Sequence, residues 1–396
     1  MKSVINKLLN KILSQFGYSL IVNKKLQKTL TNIFNTSFQK RVLLSYKRIV
    51  FENPESKIDR KHTNLYTTYL IAEILNQLEY NVDVIDCDSD FQGDFSNYNL
   101  VIGLGKALDY VLQFRESDSL TKVIWFGTGC NPLFSNVITL KRVGDFYQRN
   151  NKLILASSRY IKEDWPLQHE FADWIILHGS AFAKSTYRKK NISTVNAPVF
   201  IDHSIVRTDE EWLIARNNYL WFGIGGLIHK GLDIVIDSFK EMQNCNLHIC
   251  GNLENEDSFF NYYFPIIESS ANIIYHGFTD INTKSFEKTL RDCAFVIFPS
   301  ASEGNSPSVI TCMANGGLIP IVSGNADINI NNYGVLIKDL SVDAVINSIK
   351  KSQEFTVMEL KSQSTKILEE TNHVHSFDYF KNDFKQKLHE AINAIK

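Results

Sequence analysis

The sequence predicts an α/β protein of two doubly wound domains facing one another across a cleft. Three observations lead there. Short apolar runs alternate with amphipathic stretches along most of the chain, the rhythm that βαβ units produce. That rhythm pauses near residues 196–217 and then begins again. Finally, 396 residues exceed what one core of ordinary size uses.

Residues 1–40 form a basic extension. Val4, Ile5, Leu8, Leu9, Ile12, Leu13 and Phe16 recur at helical spacing with Lys2, Lys7 and Lys11 among the other positions, so an amphipathic helix is expected over 1–16. The first fifty residues contain no Asp or Glu, although the whole chain carries a net charge of only −1. Two readings stand: a helix packed on its own protein or a partner, or one that attaches to an anionic membrane surface. No apolar run is long enough to span a bilayer, and Lys7 and Lys11 interrupt the N-terminal segment, so neither a signal peptide nor a transmembrane helix is expected. Nucleic acid is not expected as a partner.

The first domain is expected over 41–200, with strands at 42–46, 82–85, 100–102, 123–126, 153–156 and 174–177. Helical patterns lie between them, as at 64–78 and 136–148. The second domain, 215–375, repeats the scheme with strands at 219–222, 246–249, 272–275, 295–298, 318–322 and 333–337. A last helix is expected over 376–396. The six cysteines mostly sit in apolar contexts and form no CxxC, so reduced thiols are expected rather than a zinc site or a disulfide framework.

The most informative stretch is FVIFPSASEGNSPSVITCMANGGLIPIV. It reads as a buried strand, a polar loop with one carboxylate (Glu303), a helix and a second buried strand. Ser306 is a good N-cap and Pro307 suits the first helical position, so the helix start faces the carboxyl edge of a parallel sheet. Such an edge suits an anionic ligand. A solvated loop is the plain alternative for Glu303, but Gly304 beside it permits close backbone approach to a ligand.

The segment WFGIGGLIHKGLDI ends a strand, loosens at Gly223, Gly225 and Gly226, and places Lys230 at a helix start. An ammonium there can neutralise a diphosphate; a solvated helix-face lysine is the alternative. Neither Gly223-Ile224-Gly225 nor Gly103-Leu104-Gly105 completes GxGxxG, so NAD and FAD are not expected. In the first half, His62 and Asn64 open a helix after the first strand and its loop. In one reading they meet the acceptor or the donor across the cleft, His62 as a catalytic residue and Asn64 on the acceptor side; in the other His62 merely starts the helix. Thr128 and Gly129 follow the fourth strand, either lining the cleft or making an ordinary turn.

With these residues the chain resembles the GT-B glycosyltransferases of the large retaining family called family 4. HKGLDIVIDSF resembles that family's phosphate-lysine segment, and FPSASEGNSPSVITCMANGG its E-x7-E segment. The resemblance implies two Rossmann-like domains, an N-terminal one for the acceptor and a C-terminal one for a nucleotide sugar, with the final helix crossing back. It implies that Lys230 meets the donor diphosphate and Glu303 the sugar hydroxyls. Backbone groups of Asn305, Ser306, Pro307, Ser308 and Val309 would hold sugar and phosphate, while His276, Gly277 and Phe278 would meet the base. It also implies a metal-independent reaction, with no cofactor, that keeps the anomeric configuration. Three positions depart from the pattern: Thr311 replaces the second glutamate, Gly225 the expected arginine, and a glycine-free loop at 51–60 the usual glycine-rich one.

The function expected is sugar transfer from a nucleotide-sugar donor to a glycan or lipid-linked acceptor. Its setting would be surface polysaccharide or glycolipid assembly, in the cytoplasm or on the inner membrane face. A non-catalytic GT-B scaffold and a nucleotide-sugar epimerase are the alternatives.

Overall fold

The computed structural model describes residues 29–52, 58–91, 93–154, 159–161, 167–330 and 333–395. The helix expected over 1–16 lies outside them. Two six-stranded sheets are present, and every strand pair within them is parallel. The first contains β1 (Lys40–Tyr46), β2 (Tyr80–Asp86), β3 (Leu100–Gly103), β4 (Lys122–Gly127), β5 (Trp174–His178) and β6 (Ile192–Val195), in the order β2-β1-β3-β4-β5-β6. The second contains β7 (Asn218–Phe222), β8 (Asn246–Cys250), β9 (Ile273–Gly277), β10 (Phe295–Phe298), β11 (Ile319–Ser323) and β12 (Val335–Ile337), in the order β12-β11-β10-β7-β8-β9.

Helices cover both faces of a parallel sheet, so its central strands are buried on both sides and read as nearly continuous apolar runs. Val42, Leu43 and Leu44 in β1 and Phe295, Val296, Ile297 and Phe298 in β10 are fully buried. Six helices matter to the site: α1 (Thr63–Gln77), α2 (Lys106–Phe114), α3 (Pro132–Asn150), α4 (Leu232–Glu241), α5 (Pro307–Gly316) and α6 (Phe377–Ala394).

One expected strand is not found. Leu153 and Ile154 belong to no strand, and 155–156 lie outside the described residues. The sixth strand of the first sheet is instead β6, a four-residue edge strand paired only to β5.

Each sheet has a place where neighbouring strands send their connections opposite ways. In the first it lies between β1 and β3, and in the second between β7 and β10. A crevice opens at the carboxyl ends of such strands, where doubly wound folds take their ligands. The α6 helix packs Phe380, Phe384, Leu388 and Ala391 into the core of the first sheet, beside Val42, Leu44 and Ile176.

Buried charges also join the two halves. Arg142 of α3 donates to both oxygens of Asp233 in α4, at 2.8 and 2.9 Å, and Arg149 donates to Asp233 at 2.7 Å. Arg142 and Asp233 are both buried. Among the described residues, no helix is long and apolar enough to cross a membrane.

Candidate functional site

The strands β7 and β10 lie side by side, with Tyr219 opposite Phe295 and Leu220 opposite Val296. Their following loops therefore meet at one sheet edge. After β7 the chain turns through Gly225 and Gly226, both with φ near +68°, and enters α4 through Gly231. A Cβ at Gly231 would stand 2.3 Å from the Pro299 carbonyl oxygen, so glycine lets the two loops touch.

That contact brings Lys230 and Glu303 together. Lys230 Nζ lies 3.1 Å from Glu303 Oε1 and 5.3 Å from the centre of the Phe298 ring. Ser300 Oγ donates to the same carboxylate oxygen at 3.1 Å. Arg159, from the first half of the chain, reaches the other oxygen, with Nη1 3.4 Å from Oε2. Lys230 and Glu303 are buried, whereas the Arg159 side chain is about half exposed.

Burial pushes the Glu303 carboxyl up, but Lys230 and Arg159 together outweigh it and hold the group at about 2. It is a carboxylate at any physiological pH. Burial also pushes the Lys230 ammonium below the ordinary lysine range, opposed by Glu303. His229 is bonded on both ring nitrogens: to Thr139 Oγ1 at 2.6 Å across the cleft and to the Ser302 carbonyl at 2.9 Å. Burial lowers it to about 4.

Glu303 leads into α5, which begins at Pro307 as its Ser-Pro start predicts. Ser306 is buried, and its hydroxyl has no hydrogen-bond partner among the described residues. The N-terminus of α5 adds backbone donors suited to an anion. Asn305 holds this turn with φ +48° and donates from its amide to the Asp327 carbonyl at 2.9 Å. The Asp327 carboxylate accepts from Ser180 N at 2.7 Å and from the Ser180 hydroxyl, tying the turn to the first sheet. Val309 and Thr311 are buried in α5.

Glu303 also faces a cavity of about 550 Å³ at the carboxyl ends of β3 and β4 of the first sheet. Its lining includes Leu104, Lys106, Trp125, Thr128, Gly129, Arg159 and Glu303. Its size lies in the range of small-molecule sites, roughly 300–1,000 Å³. Thr128, Gly129 and Glu303 thus share one cavity.

Other expected site residues sit elsewhere. His62 is exposed and caps α1, its Nδ1 accepting from Leu65 N at 3.4 Å; neither it nor Asn64 lines the cavity. Neighbouring Lys61 approaches Asp280 of the second half at 3.6 Å, so this turn faces the loop after β9. At the end of β9 Gly277 is open with φ +71° and Phe278 just beyond it is exposed, whereas the His276 ring packs on His248, with 3.0 Å between ring nitrogens. Gly304 approaches backbone rather than open space: a Cβ there would lie 2.3 Å from Gly129 Cα and 2.4 Å from the His178 carbonyl oxygen.

Sequence reasoning missed Arg159, His229 and Glu256. Glu256 is buried, and its carboxylate accepts from the backbone N–H groups of Gly226 and Leu227, so the glycine loop already holds an anion from its own chain. His229 stands beside Lys230 and carried a legible signal; Arg159 and Glu256 are remote in sequence and carried none.

The acid and thiol side chains of Asp86, Cys87 and Asp88 converge at the end of β2. Burial raises the Cys87 thiol to about 11, against the opposing pull of Lys47.

No family model matches the sequence, and no curated protein matches it. Solved structures do match its fold. A sucrose-phosphate synthase from Thermosynechococcus elongatus superposes with a TM-score of 0.61 at 12% identity, covering 90% of this chain and 100% of its own. A UDP-forming α,α-trehalose-phosphate synthase from Burkholderia vietnamiensis gives 0.58 at 9% identity, covering 91% and 98%. Anabaena HepE, solved in complex with UDP and glucose, gives 0.54 at 11% identity, covering 89% and 100%. At these identities the likeness concerns the fold, and the fold is GT-B.

Proposed function

We propose that this chain is a glycosyltransferase of hexosyltransferase type, moving a sugar from a nucleotide-sugar donor to a glycan or lipid-linked acceptor. The observation that carries the reading is the buried Lys230–Glu303 pair at the switch point between β7 and β10, opening onto a cavity in the facing domain. Doubly wound folds bind ligands at that place. The HepE complex with UDP and glucose, on the same fold, supports a nucleotide sugar as the donor.

In this reading the second domain holds the donor. Lys230 and the N-terminus of α5 face the diphosphate, so charge developing on the departing group meets fixed positive charge and no metal is required. Glu303 is ionised and accepts hydrogen bonds from sugar hydroxyls. The acceptor enters through the cavity past Thr128 and Gly129. The sugar leaves with its anomeric configuration retained, in surface polysaccharide or glycolipid assembly at the inner face of a membrane. The basic residues 1–16 would hold the enzyme there.

A second reading is a binding subunit without turnover. It is favoured by Glu256, which occupies two N–H groups of the glycine loop, and by Thr311 in place of an acid. Release of nucleoside diphosphate from a panel of sugar nucleotides, with and without acceptor glycans, tests the two. The transferase reading predicts turnover that falls at least 100-fold in Lys230→Ala and in Glu303→Ala. Tight binding with no turnover in the wild type would favour the subunit, and epimerised donor without acceptor would favour the epimerase.

A further inference from the structure

We infer that Arg159 is a second donor-binding cation, lent by the acceptor domain to the diphosphate of a sugar nucleotide held in the other domain. This rests on the nucleotide-sugar reading above and goes beyond it, because that reading places every phosphate contact in the second domain.

The argument begins with charge. A nucleoside diphosphate carries at least two negative charges, and its stabilisation depends on net positive charge nearby. Lys230 is largely offset, since its ammonium is paired with Glu303 at 3.1 Å. His229 is held neutral at physiological pH by burial. The glycine loop offers no spare donors at Gly226 and Leu227, because both N–H groups point at Glu256. Arg159 adds a second cation to the Lys230–Glu303 pair, beside a loop that also carries the Glu256 carboxylate.

Geometry places that charge beside the donor loop. Arg159 Nη1 lies 3.4 Å from Glu303 Oε2, on the carboxylate oxygen that Lys230 does not hold. Its side chain runs along the same loop: a Cβ built on Gly226 would stand 3.2 Å from Arg159 Cβ and 3.6 Å from Cδ. Next to Gly226, Gly225 has open space where a side chain would be. About half of the Arg159 side chain stays exposed, and the residue lines the cavity, so the guanidinium is accessible to a ligand as well as to Glu303. Its planar fork of N–H donors matches phosphate oxygens in pairs, which an ammonium cannot do.

Calorimetric titration of the wild type and of Arg159→Ala and Arg159→Lys tests this. The probes are UDP, GDP and ADP, followed by the matching nucleoside of whichever binds. The expected result is a loss of at least tenfold in diphosphate affinity in Arg159→Ala, a smaller loss in Arg159→Lys, and unchanged affinity for the nucleoside, which has no phosphate. Diphosphate affinity unchanged in Arg159→Ala would overturn the assignment. So would equal losses for diphosphate and nucleoside, which mark a purely structural role. If the wild type binds none of the three diphosphates, the nucleotide-sugar reading itself fails and takes this inference with it.

Discussion

Glu303 is surrounded by more positive charge than any solvated loop acid needs. Lys230 and Ser300 hold one oxygen and Arg159 approaches the other, which keeps the carboxyl at about 2 despite burial. A group whose folded pKa is depressed adds stability above its ordinary pKa and loses it as pH falls through the folded value. Glu303 therefore stays ionised from pH 4 upward, and its titration sets no limb in a pH–rate profile over that range. Glu303→Gln keeps the shape but removes the charge, leaving the buried Lys230 and the half-exposed Arg159 against a neutral amide. We expect it to lower kcat by about 10²-fold, comparable to removing one oriented electrostatic contact, while changing KM less. Steady-state kinetics on the donor identified by the panel would check this; a change confined to KM would place Glu303 in ground-state binding alone.

At the scale of elements, the site is a meeting of loops, and glycine decides how closely they meet. Gly304 and Gly129 touch across the cleft while Cys130 Sγ contacts the Glu303 carbonyl at 3.0 Å. Gly304→Ala would drive a methyl into backbone on both sides, where nothing flexible can yield. The expected cost is about 2 kcal/mol of stability, by analogy with overpacked cores, together with displacement of Glu303. Urea denaturation and donor turnover, measured side by side, would register both effects. The stretch from β10 through α5 to β11 was legible in sequence because its signals are local: apolar runs and a Ser-Pro helix start. Lys230 and Glu303 were legible through residues beside them in the chain. Arg159, Glu256 and the Gly304–Gly129 contact were not, because each depends on segments brought together only by the fold. His62 reads in structure as a cap, since its ring nitrogen completes the first turn of α1. Leu153 and Ile154, the described part of the apolar run at 153–156, form no strand because a strand needs a neighbour as well as a pattern, and the edge position beside β5 is filled by Ile192–Val195, whose two middle residues are polar.

The whole molecule is two facing domains on a GT-B plan, and it buries several histidines, of which His229 bonds across the cleft to Thr139. Burial lowers His178 to about 3, and His229, His248 and His375 to about 4. The unfolded chain binds protons on these rings below pH 6.5 while the folded chain does not, so stability falls as pH drops from 6.5 toward 4. Each ring contributes a slope of up to roughly 1.4 kcal/mol per pH unit within that window. Thermal denaturation should show a melting temperature that is nearly level from pH 7 to 8 and declines steeply below pH 6; a level curve down to pH 4.5 would show that these rings are protonated in the folded state. His229 spans the cleft, so its protonation is expected to loosen the two domains beside Lys230 and Glu303. The most direct test of the central claim is a crystal structure with the preferred sugar nucleotide bound. The account predicts diphosphate oxygens within hydrogen-bond reach of Lys230 and sugar hydroxyls at Glu303, at the crevice between β7 and β10. A nucleotide seated elsewhere, with the Lys230–Glu303 pair untouched, would contradict it.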